Sequence, residues 1–475
     1  MTAMRMSRFS IFLLVIVVLL FAGGAVYLVA NGGAPPTLDI HSPLRVVGAH
    51  GTLEVEATAP GGHFTHLDVA VEQDHRRIPV FSLPGGKTAR IQQVTPDEIR
   101  ITEPFGQAAF PALQAGPARI IATASCPALF GLRHLEATAA RSIQVDLTPP
   151  TVEVVSTGHY INLGGSEMVI YRVSPPDVTS GVRVGQLVYP GFPASGAGIP
   201  NADPGLKVAF FALRYDQGLD TPMSIFARDA AGNETTAQFD HQVFDRQFKH
   251  AKIQIDDAFL QRAIPPIMQH TPQVHVALDG PKDLVPAFLV ANRQIRRLDA
   301  AKIASFASQT APRILWSGAF LQLPDSKVES PFPEFRTYYH DGQEIDKEVH
   351  LGEDLASIAN AKIPAANAGR VLFASYLGIY GNCVIIDHGM GVQSLYGHLS
   401  SIQVRPGEMV AKGQVIGLTG ETGLAGGDHL HFTMLVDGQM VNPVEWWDPH
   451  WIADRITRKL VAAGAPAPAV RPRHR

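Results

Sequence analysis

Residues 427–436 read GDHLHFTMLV, in which His429 and His431 stand two positions apart at the head of an apolar run. In a β-strand, side chains at positions i and i+2 point to the same face, about 6–7 Å apart at the backbone. One imidazole can then bind a metal ion while the other lies beside the water that the ion activates. Taken alone, the pattern is also typical of a strand with two surface histidines. Other residues of the chain are needed to distinguish a metal site from a strand with two surface histidines.

Two further polar clusters precede this run. The first, HLGED at 350–354, contains a glycine that lets the chain turn, so that His350 and Asp354 can reach one point. The second, LYGHLS at 395–400, adds His398. Two histidines and one carboxylate leave one corner of a tetrahedral site open, which is typical of catalytic rather than structural zinc. Because the chain has no C-x-x-C spacing, any metal must be held by His and carboxylate side chains.

The surrounding sequence resembles the LytM or lysostaphin-type zinc peptidases of family M23. The matching segments are SPFPEFR (330–336), GRVLFA (369–374), YGNCVIIDHG (380–389), YGHLS (396–400), VRPG (404–407), VAKGQVIG (410–417) and HLHF (429–432). The resemblance implies Zn²⁺ bound by His350, Asp354 and His431. It also implies a catalytic pair, His398 and His429, on either side of the water. One imidazole would accept the proton and the other would stabilise the oxyanion, and we expect His429 to be the base.

Three positions near these motifs need separate interpretation. Glu353 replaces a residue that is usually apolar in the family, and we expect its carboxylate to point to solvent, with an extra ligand as the alternative. Asp428 replaces a common proline, and it either hydrogen-bonds a ligand imidazole or caps the turn. We expect His388, at a strand end, to be structural.

The remaining sequence predicts a mainly β, multidomain protein. Short alternating segments with frequent turn residues predict β-sandwiches, the second of which opens with DLTPPTV and closes with ARDAAGN and so resembles bacterial immunoglobulin-like repeats. Helical patterns beginning at Asp256, Asp283 and Asp299 predict a helical connector. The expected order is a tentative immunoglobulin-like sandwich (37–147), an immunoglobulin-like sandwich (148–245), the connector (246–324), a β-rich M23 peptidase domain (325–447) and a basic tail with a short helix and disordered chain (448–475).

The N-terminus predicts a membrane anchor. Residues 9–30 form an uncharged apolar run that is long enough to span a bilayer of about 30 Å. Arg5 and Arg8 precede it, so the positive-inside rule leaves residues 1–8 in the cytoplasm. We therefore expect a single-pass protein of the inner (plasma) membrane, held by this transmembrane helix, with its C-terminal domains exported.

Composition narrows the partners and the classes of function. A formal charge of −4 gives no reason to expect nucleic acid. Cys126 and Cys383 are far apart; we expect Cys383 to be a buried thiol, and a disulfide between the two has weak support. The resemblance implies an endopeptidase acting on peptidoglycan cross-links or stem peptides. The alternatives are a non-catalytic regulator of wall amidases, which would lack several of the five site residues, and a wall-binding or adhesion protein working through its sandwiches, whose partners are unspecified.

Overall fold

A computed structural model of the chain describes residues 8–31, 34–59, 63–84, 90–128, 133–276, 278 and 280–467. The chain divides into two compact units, the first comprising residues 1–149 and 228–234 and the second residues 150–227 and 235–475. Strands dominate both units, so the prediction of a mainly β, multidomain protein is confirmed.

The first unit contains two β-sheets around one apolar core. Its strands are β1 (Thr37–Ser42), β2 (Val46–Val47), β3 (Gly51–Thr58), β4 (His66–Gln73), β5 (Arg76–Leu83), β6 (Arg90–Thr95), β7 (Glu98–Phe105), β8 (Gly116–Ala128) and β9 (Arg133–Val145). They pair in the orders β1-β3-β7-β6 and β2-β9-β8-β4-β5. The alternation in β3 buries Leu53, Val55 and Ala57 in the core, as period-two patterning requires. Its immunoglobulin-like character stays a prediction.

An α-helix, α1 (Arg8–Asn31), precedes the first strand. Within the described ranges, no helix is both long and apolar enough to cross a membrane. The prediction of a transmembrane helix at 9–30, and with it the single-pass location in the inner membrane, is therefore wrong. Residues 1–7 of the expected cytoplasmic segment lie outside the described residues.

The second unit begins with three small sheets. Its first strands are β10 (Thr151–Val154), β11 (His159–Asn162), β12 (Ser166–Ser174), β13 (Thr179–Val184), β14 (Leu187–Pro190), β15 (Phe192–Pro193), β16 (Leu206–Ala212), β17 (Met223–Arg228), β18 (Glu234–Ala237), β19 (His241–Phe244) and β20 (Lys249–Gln254). Strand β16 is buried along its whole length, which is typical of a strand covered on both faces. It shares one apolar cluster with Trp446 and Ile452 near the C-terminus, so this β region packs within the unit. The immunoglobulin-like assignment stays a prediction here too.

Helices then connect this region to the C-terminal sheet. They are α2 (Asp257–Gln269), α3 (Leu284–Val290) and α4 (Arg296–Ser305), and a π-helical segment, Ala291–Ile295, joins the last two. The Asp256 carboxylate accepts a hydrogen bond from the Phe259 backbone N–H and so caps α2. Leu260 and Phe288 pack in one cluster with Ile385, so the helices cover one side of the following sheet.

The C-terminal sheet carries the sequence motifs. Its region contains β21 (Lys327–Ser330), β22 (Glu334–His340), β23 (Gln343–His350), β24 (Glu353–Ala356), β25 (Lys362–Pro364), β26 (Gly369–Leu377), β27 (Gly381–Gly389), β28 (Val392–Leu399), β29 (Ser401–Ile402), β30 (Met409–Val410), β31 (Val415–Leu418), β32 (Leu430–Val436) and β33 (Gln439–Val441). The main sheet runs β21-β24-β32-β28-β27-β26-β30, with β33 on β32. Strands β28 and β32 are buried throughout, which gives the sheet a rigid centre.

Short helices follow this sheet: α5 (Pro443–Trp447), α6 (Pro449–Trp451), a π-helical segment (Ile452–Thr457) and α7 (Arg458–Ala462). The basic stretch expected to form a tail is thus partly folded, and Lys459 is buried in an ion pair with Glu167 at 2.7 Å. Residues 468–475, where disordered chain was expected, lie outside the described residues. Cys126 and Cys383 are both buried free thiols, so they form no disulfide.

Candidate metal centre and active site

Strand pairing brings the three clusters of the sequence to one place. Asp354 of β24 lies directly opposite His431 of β32, and directly paired residues of an antiparallel ladder project to the same face. On the other side of β32, Gly397 of β28 pairs with His431. His350 ends β23, and only two residues separate it from the start of β24. His398 follows Gly397, so all three clusters meet at the end of β32.

Three side chains converge tightly at this point. His350 Nε2 lies 2.9 Å from Asp354 Oδ1 and 2.9 Å from His431 Nδ1, and the Asp354 and His431 atoms are 3.1 Å apart. All three residues are buried. Tetrahedral zinc with ligands at about 2.0–2.1 Å has ligand atoms about 3.3 Å from each other. The spacing and the N, N, O donor set therefore fit one zinc ion.

Neighbouring groups fix which ring nitrogen faces this point. Thr433 Oγ1 donates to the Leu351 carbonyl oxygen at 2.8 Å and lies 2.9 Å from His431 Nε2. Since that hydroxyl proton is committed to Leu351, the threonine oxygen accepts the Nε2–H of His431. The Nδ1 of His431 is left with its lone pair toward Asp354, as a metal ligand requires.

A chain of charges holds the carboxylate of Asp354. Arg336 Nη2 donates to Asp354 Oδ2 at 2.9 Å, while Arg336 Nε donates to Glu334 at 2.8 Å. Lys249 of β20 completes the chain with a 2.7 Å ion pair to Glu334. Because the guanidinium occupies Oδ2, the other oxygen, Oδ1, is presented to the two histidines.

The two remaining histidines face the same centre from the rim. His398 Nδ1 donates to the Thr422 carbonyl oxygen at 2.8 Å, and His429 Nδ1 donates to the Gly427 carbonyl oxygen at 2.8 Å. Both rings therefore keep Nε2 for chemistry, and their centroids are 4.8 Å apart. His398 has a left-handed backbone, φ 67°, which a histidine adopts only when its surroundings enforce it.

Burial and neighbouring charges shift the pKa values of the site in different directions. Burial lowers the pKa of His350 to about 4 and lowers that of His431 as well. Burial, and then His429 and His431, hold the pKa of His398 well below its usual value. Burial opposes ionisation of Asp354, but His350 and the hydrogen bonds from the histidines lower its pKa well below the ordinary value. Burial would lower the pKa of His429, yet its contact with Asp354 raises it.

An open cleft of about 660 Å³ leads to the site. His350, His398, His429 and His431 line its floor together with Asp354. Residues of the connector helices, including Phe259 and Arg296, form another part of its lining. A peptide can therefore approach the five residues from solvent, with the connector beside it.

Glu353 contradicts the expectation from its sequence position. Its side chain is buried rather than in solvent, and Oε1 accepts the backbone N–H of Phe332 at 3.0 Å. Burial raises its pKa to about 7. It is absent from the three-residue metal cluster found among the described residues. Glu353 therefore ties the chain before β22 to the start of β24.

The other two uncertain positions have structural partners. Asp428 Oδ2 accepts the backbone N–H of Asn360 at 3.0 Å, a contact that neither alternative anticipated. His388 is fully buried, with Nδ1 bonded to the Ala368 carbonyl oxygen and Nε2 2.7 Å from Ser394 Oγ. This bonding agrees with the structural role predicted for His388.

The sequence patterns did not predict the supporting roles of Thr433 and Glu334, and they indicated Gly352 only as a turn residue. A Cβ on Gly352 would lie 2.5 Å from Cε1 of His431, so only glycine fits against that ring. Thr433 follows the H-x-H pattern at the same two-residue period, and this was the available indication that its side chain shares the face of His431.

Comparisons with known proteins agree with this geometry. Residues 348–443 match the family described as Peptidase family M23. The chain is 42% identical over 96 residues to the DD-carboxypeptidase/endopeptidase Mpg of Neisseria meningitidis serogroup B, covering 20% of this chain and 22% of that protein. It is 35% identical over 111 residues to the murein hydrolase activator EnvC of Escherichia coli, covering 23% and 26%.

The catalytic domain of lysostaphin from Staphylococcus simulans aligns with 21% identity and a TM-score of 0.20, covering 30% of this chain and 96% of that one. The chain spans about a quarter of the length of the curated relatives it matches. Residues 348–443, which match the family, include all five of these cleft residues, His350, Asp354, His398, His429 and His431. Residues 348–443 of this chain are therefore a peptidase family M23 domain.

Proposed function

We propose that the chain is a zinc-dependent endopeptidase that hydrolyses peptide bonds of peptidoglycan, either cross-links or stem peptides. One observation carries the proposal: two imidazole nitrogens and one carboxylate oxygen meet within 3.1 Å of one another at the floor of an open cleft. Two further imidazoles face the same point. A regulator that had lost catalysis would have no need to keep all five groups buried and oriented.

The residues His350, Asp354 and His431 would hold the zinc ion. Bound there, zinc supplies Lewis-acid polarisation of the scissile carbonyl group and activation of water near neutral pH. The protein contributes the orientation of its ligands. Thr433 sets the tautomer of His431, and Arg336 sets the rotation of the Asp354 carboxylate.

His398 and His429 would divide the proton transfers. His398 uses Nδ1–H on the Thr422 carbonyl, so its neutral ring presents an Nε2 lone pair that accepts a proton from water. His429 Nε2 lies 3.4 Å from Asp354 Oδ1, a contact that favours a proton on this nitrogen. Protonated His429 would then donate a hydrogen bond to the oxyanion. This assignment exchanges the two roles expected from the sequence.

The substrate class is supported by the relatives. One is named a DD-carboxypeptidase/endopeptidase, which is a name for a peptide-cleaving enzyme, and another a murein hydrolase activator, a name that refers to the murein of the bacterial wall. The second name keeps a regulatory function in view. The complete set of five groups favours catalysis in this chain.

Digestion of purified wall sacculi tests the proposal. The zinc-loaded protein is incubated with sacculi, and the released fragments are identified by mass spectrometry. Asp354→Ala should lose both zinc and cleavage. His398→Ala should keep zinc but lose about 100-fold or more in rate, as removal of a general base does. His450→Ala, which changes an exposed histidine, is the matched control.

Two outcomes would reject the proposal. Cleavage by His398→Ala at the wild-type rate would remove this residue from the chemistry, and cleavage by metal-free Asp354→Ala would remove zinc. If the wild-type protein releases no fragments but stimulates a purified wall amidase, the regulatory function replaces the enzymatic one.

A further inference from the structure

The connector helices contribute charged side chains to the lining of the cleft. Three arginines line it: Arg262, Arg296 and Arg336. Arg336 is paired with Asp354, and Arg262 lies 3.7 Å from Glu421 and donates to the Ala425 carbonyl oxygen. Among the described residues, no carboxylate lies within the 4.0 Å of an ion pair with Arg296. Of the three arginines that line the cleft, Arg296 is therefore the one without a carboxylate partner among the described residues.

The guanidinium of Arg296 is held in place without being neutralised. Its Nε donates to the Asn292 backbone carbonyl at 3.1 Å, and its Nη2 donates to Asn292 Oδ1 at 2.7 Å. Asn292 is itself fixed, because its Nδ2 donates to Asp346 at 2.9 Å. A guanidinium has five N–H donors, so three remain available from a pre-oriented group.

Arg296 lines the same cleft as the residues of the candidate metal centre. Burial raises the pKa of Tyr380, and the positive charge of Arg296 opposes that rise, so the two side chains are electrostatic neighbours. The Tyr380 ring lies 5.3 Å from the His431 ring, centroid to centroid. Burial raises the pKa values of Asp299 and Glu348, and the positive charge of Arg296 opposes this rise, although neither carboxylate forms an ion pair with it. A group bound by Arg296 would thus occupy the same cleft as the scissile bond.

We propose that Arg296 binds a carboxylate of the peptide substrate, so that the connector helix α4 selects peptides that carry a free carboxylate near the scissile bond. The inference rests on the proposed peptidase function and deepens it. A guanidinium matches the planar shape of a carboxylate and can bind it through two parallel hydrogen bonds. The contact between Arg296 and this carboxylate does not involve the reacting atoms, so it contributes mainly to substrate binding rather than to the chemical step.

The test compares two versions of one substrate. Soluble cross-linked wall peptides are prepared with free carboxylates and, separately, with the carboxylates converted to carboxamides. We measure kcat and KM for the full chain, Arg296→Ala, Arg296→Lys and Arg297→Ala. Arg297 is the matched control, since it is the next arginine on α4, is exposed and does not line the cleft. Melting temperature and zinc content establish that each variant is folded and loaded.

The wild-type protein should prefer the free carboxylates. Arg296→Ala should raise KM for that substrate by about 10-fold to 100-fold, the range of a charge-assisted hydrogen bond, with kcat nearly unchanged. It should leave the carboxamide substrate unaffected. Arg296→Lys should keep part of the preference, and Arg297→Ala should keep all of it.

Several results would overturn the inference. A wild-type protein that cleaves both substrates equally well has no carboxylate determinant. Equal loss of activity on both substrates in a folded and zinc-loaded Arg296→Ala variant would show that Arg296 does not recognise the carboxylate. If Arg296→Lys discriminates as fully as the wild type while Arg297→Ala does not, the determinant lies elsewhere. Failure of the wild-type protein to cleave either substrate would instead reject the proposed function, and this inference with it.

Discussion

Replacement of Gly352 by alanine is expected to disable the proposed metal centre, because the glycine lies against the ring of His431. A Cβ at this position would stand 2.5 Å from Cε1 and 2.6 Å from Nε2 of His431, and 2.6 Å from Thr433 Oγ1. Ordinary contact begins at 3.4 Å, so the ring or the backbone must move by about 0.9 Å. Any such movement separates His431 Nδ1 from its two neighbours and strains the hydrogen bond to Thr433.

The expected magnitude follows from this displacement. A misplacement of about 1 Å in a catalytic group costs on the order of 100-fold in rate. Disturbed support of a ligand histidine costs about 10-fold to 100-fold in metal affinity. We therefore expect Gly352→Ala to weaken zinc binding and sacculus cleavage by about two orders of magnitude while the remainder of the domain stays folded. Zinc affinity is measured by competition with a chelator of known affinity, and cleavage by fragment release.

Gly280→Ala is the matched control for this variant. A Cβ on Gly280 has no atom within 4 Å, its backbone is not left-handed, and it does not line the cleft, so the same chemical change adds no contact. We expect wild-type zinc affinity and activity from it. Wild-type zinc affinity and cleavage in Gly352→Ala would refute the steric reasoning, because they would show that the ring accommodates a methyl group without loss of the site.

Three further predictions concern the support of the site and of the fold. Thr433→Val should weaken zinc binding by about 10-fold to 100-fold in chelator competition, because the Nε2–H of His431 loses its acceptor. Burial raises the pKa of Asp299 to about 7, so the folded state keeps a proton that the unfolded chain loses near pH 4. Wild-type stability should therefore fall from pH 4 to 7, and Asp299→Asn should gain at most about 4 kcal/mol on the wild type between pH 5 and 8 in denaturant unfolding. Lys459→Met should cost about 3–5 kcal/mol in the same assay, because it leaves the buried Glu167 unpaired.

Each of these predictions has a comparison that can contradict it. Thr433→Ser keeps the hydroxyl and should bind zinc like the wild type; equal weakening by both variants would point to packing instead. A stability difference between Asp299→Asn and the wild type that stays constant from pH 5 to 8 would exclude the burial effect. Arg458→Met breaks an exposed pair with Asp454 and should change stability little. A similar cost in Arg458→Met and Lys459→Met would show that the burial of the Lys459 pair is unimportant.

The candidate site residues could be found from sequence because each belongs to a short pattern with its own geometry. The H-x-H spacing places His429 and His431 on one face as soon as the segment is a strand, and H-x-x-x-D brackets a glycine turn. The prediction for Glu353 failed for a physical reason. A carboxylate next to a ligand is expected to seek water, but the backbone N–H of Phe332, brought near by the chain before β22, gives it a buried partner. The residues adjacent to Glu353 in the sequence do not predict that contact.

The C-terminal helices also combine a feature that is visible in the local sequence with long-range contacts that are not. Ile452, Ile456 and Leu460 recur every four residues and are all buried, a helical spacing that the prediction of a basic tail did not use. The spacing could not indicate what covers these side chains. The partners lie nearly 300 residues upstream: Lys459 pairs with Glu167, separated from it by 292 positions.

Glu445, in helix α5 after the C-terminal sheet, makes a corresponding contact: it accepts hydrogen bonds from the Ser166 backbone N–H at 2.8 Å and from Asn162 Nδ2 at 2.7 Å. Glu167 and Glu445 are both buried, and an unpaired buried charge is costly. These contacts therefore require the β region around residue 166 to stay in place. Residues 150–227, most of the sandwich predicted from sequence at 148–245, therefore belong to the same packed unit as the C-terminal sheet. Loss of the ion pair between Lys459 and Glu167 should therefore lower the stability of the whole unit rather than that of one small sheet.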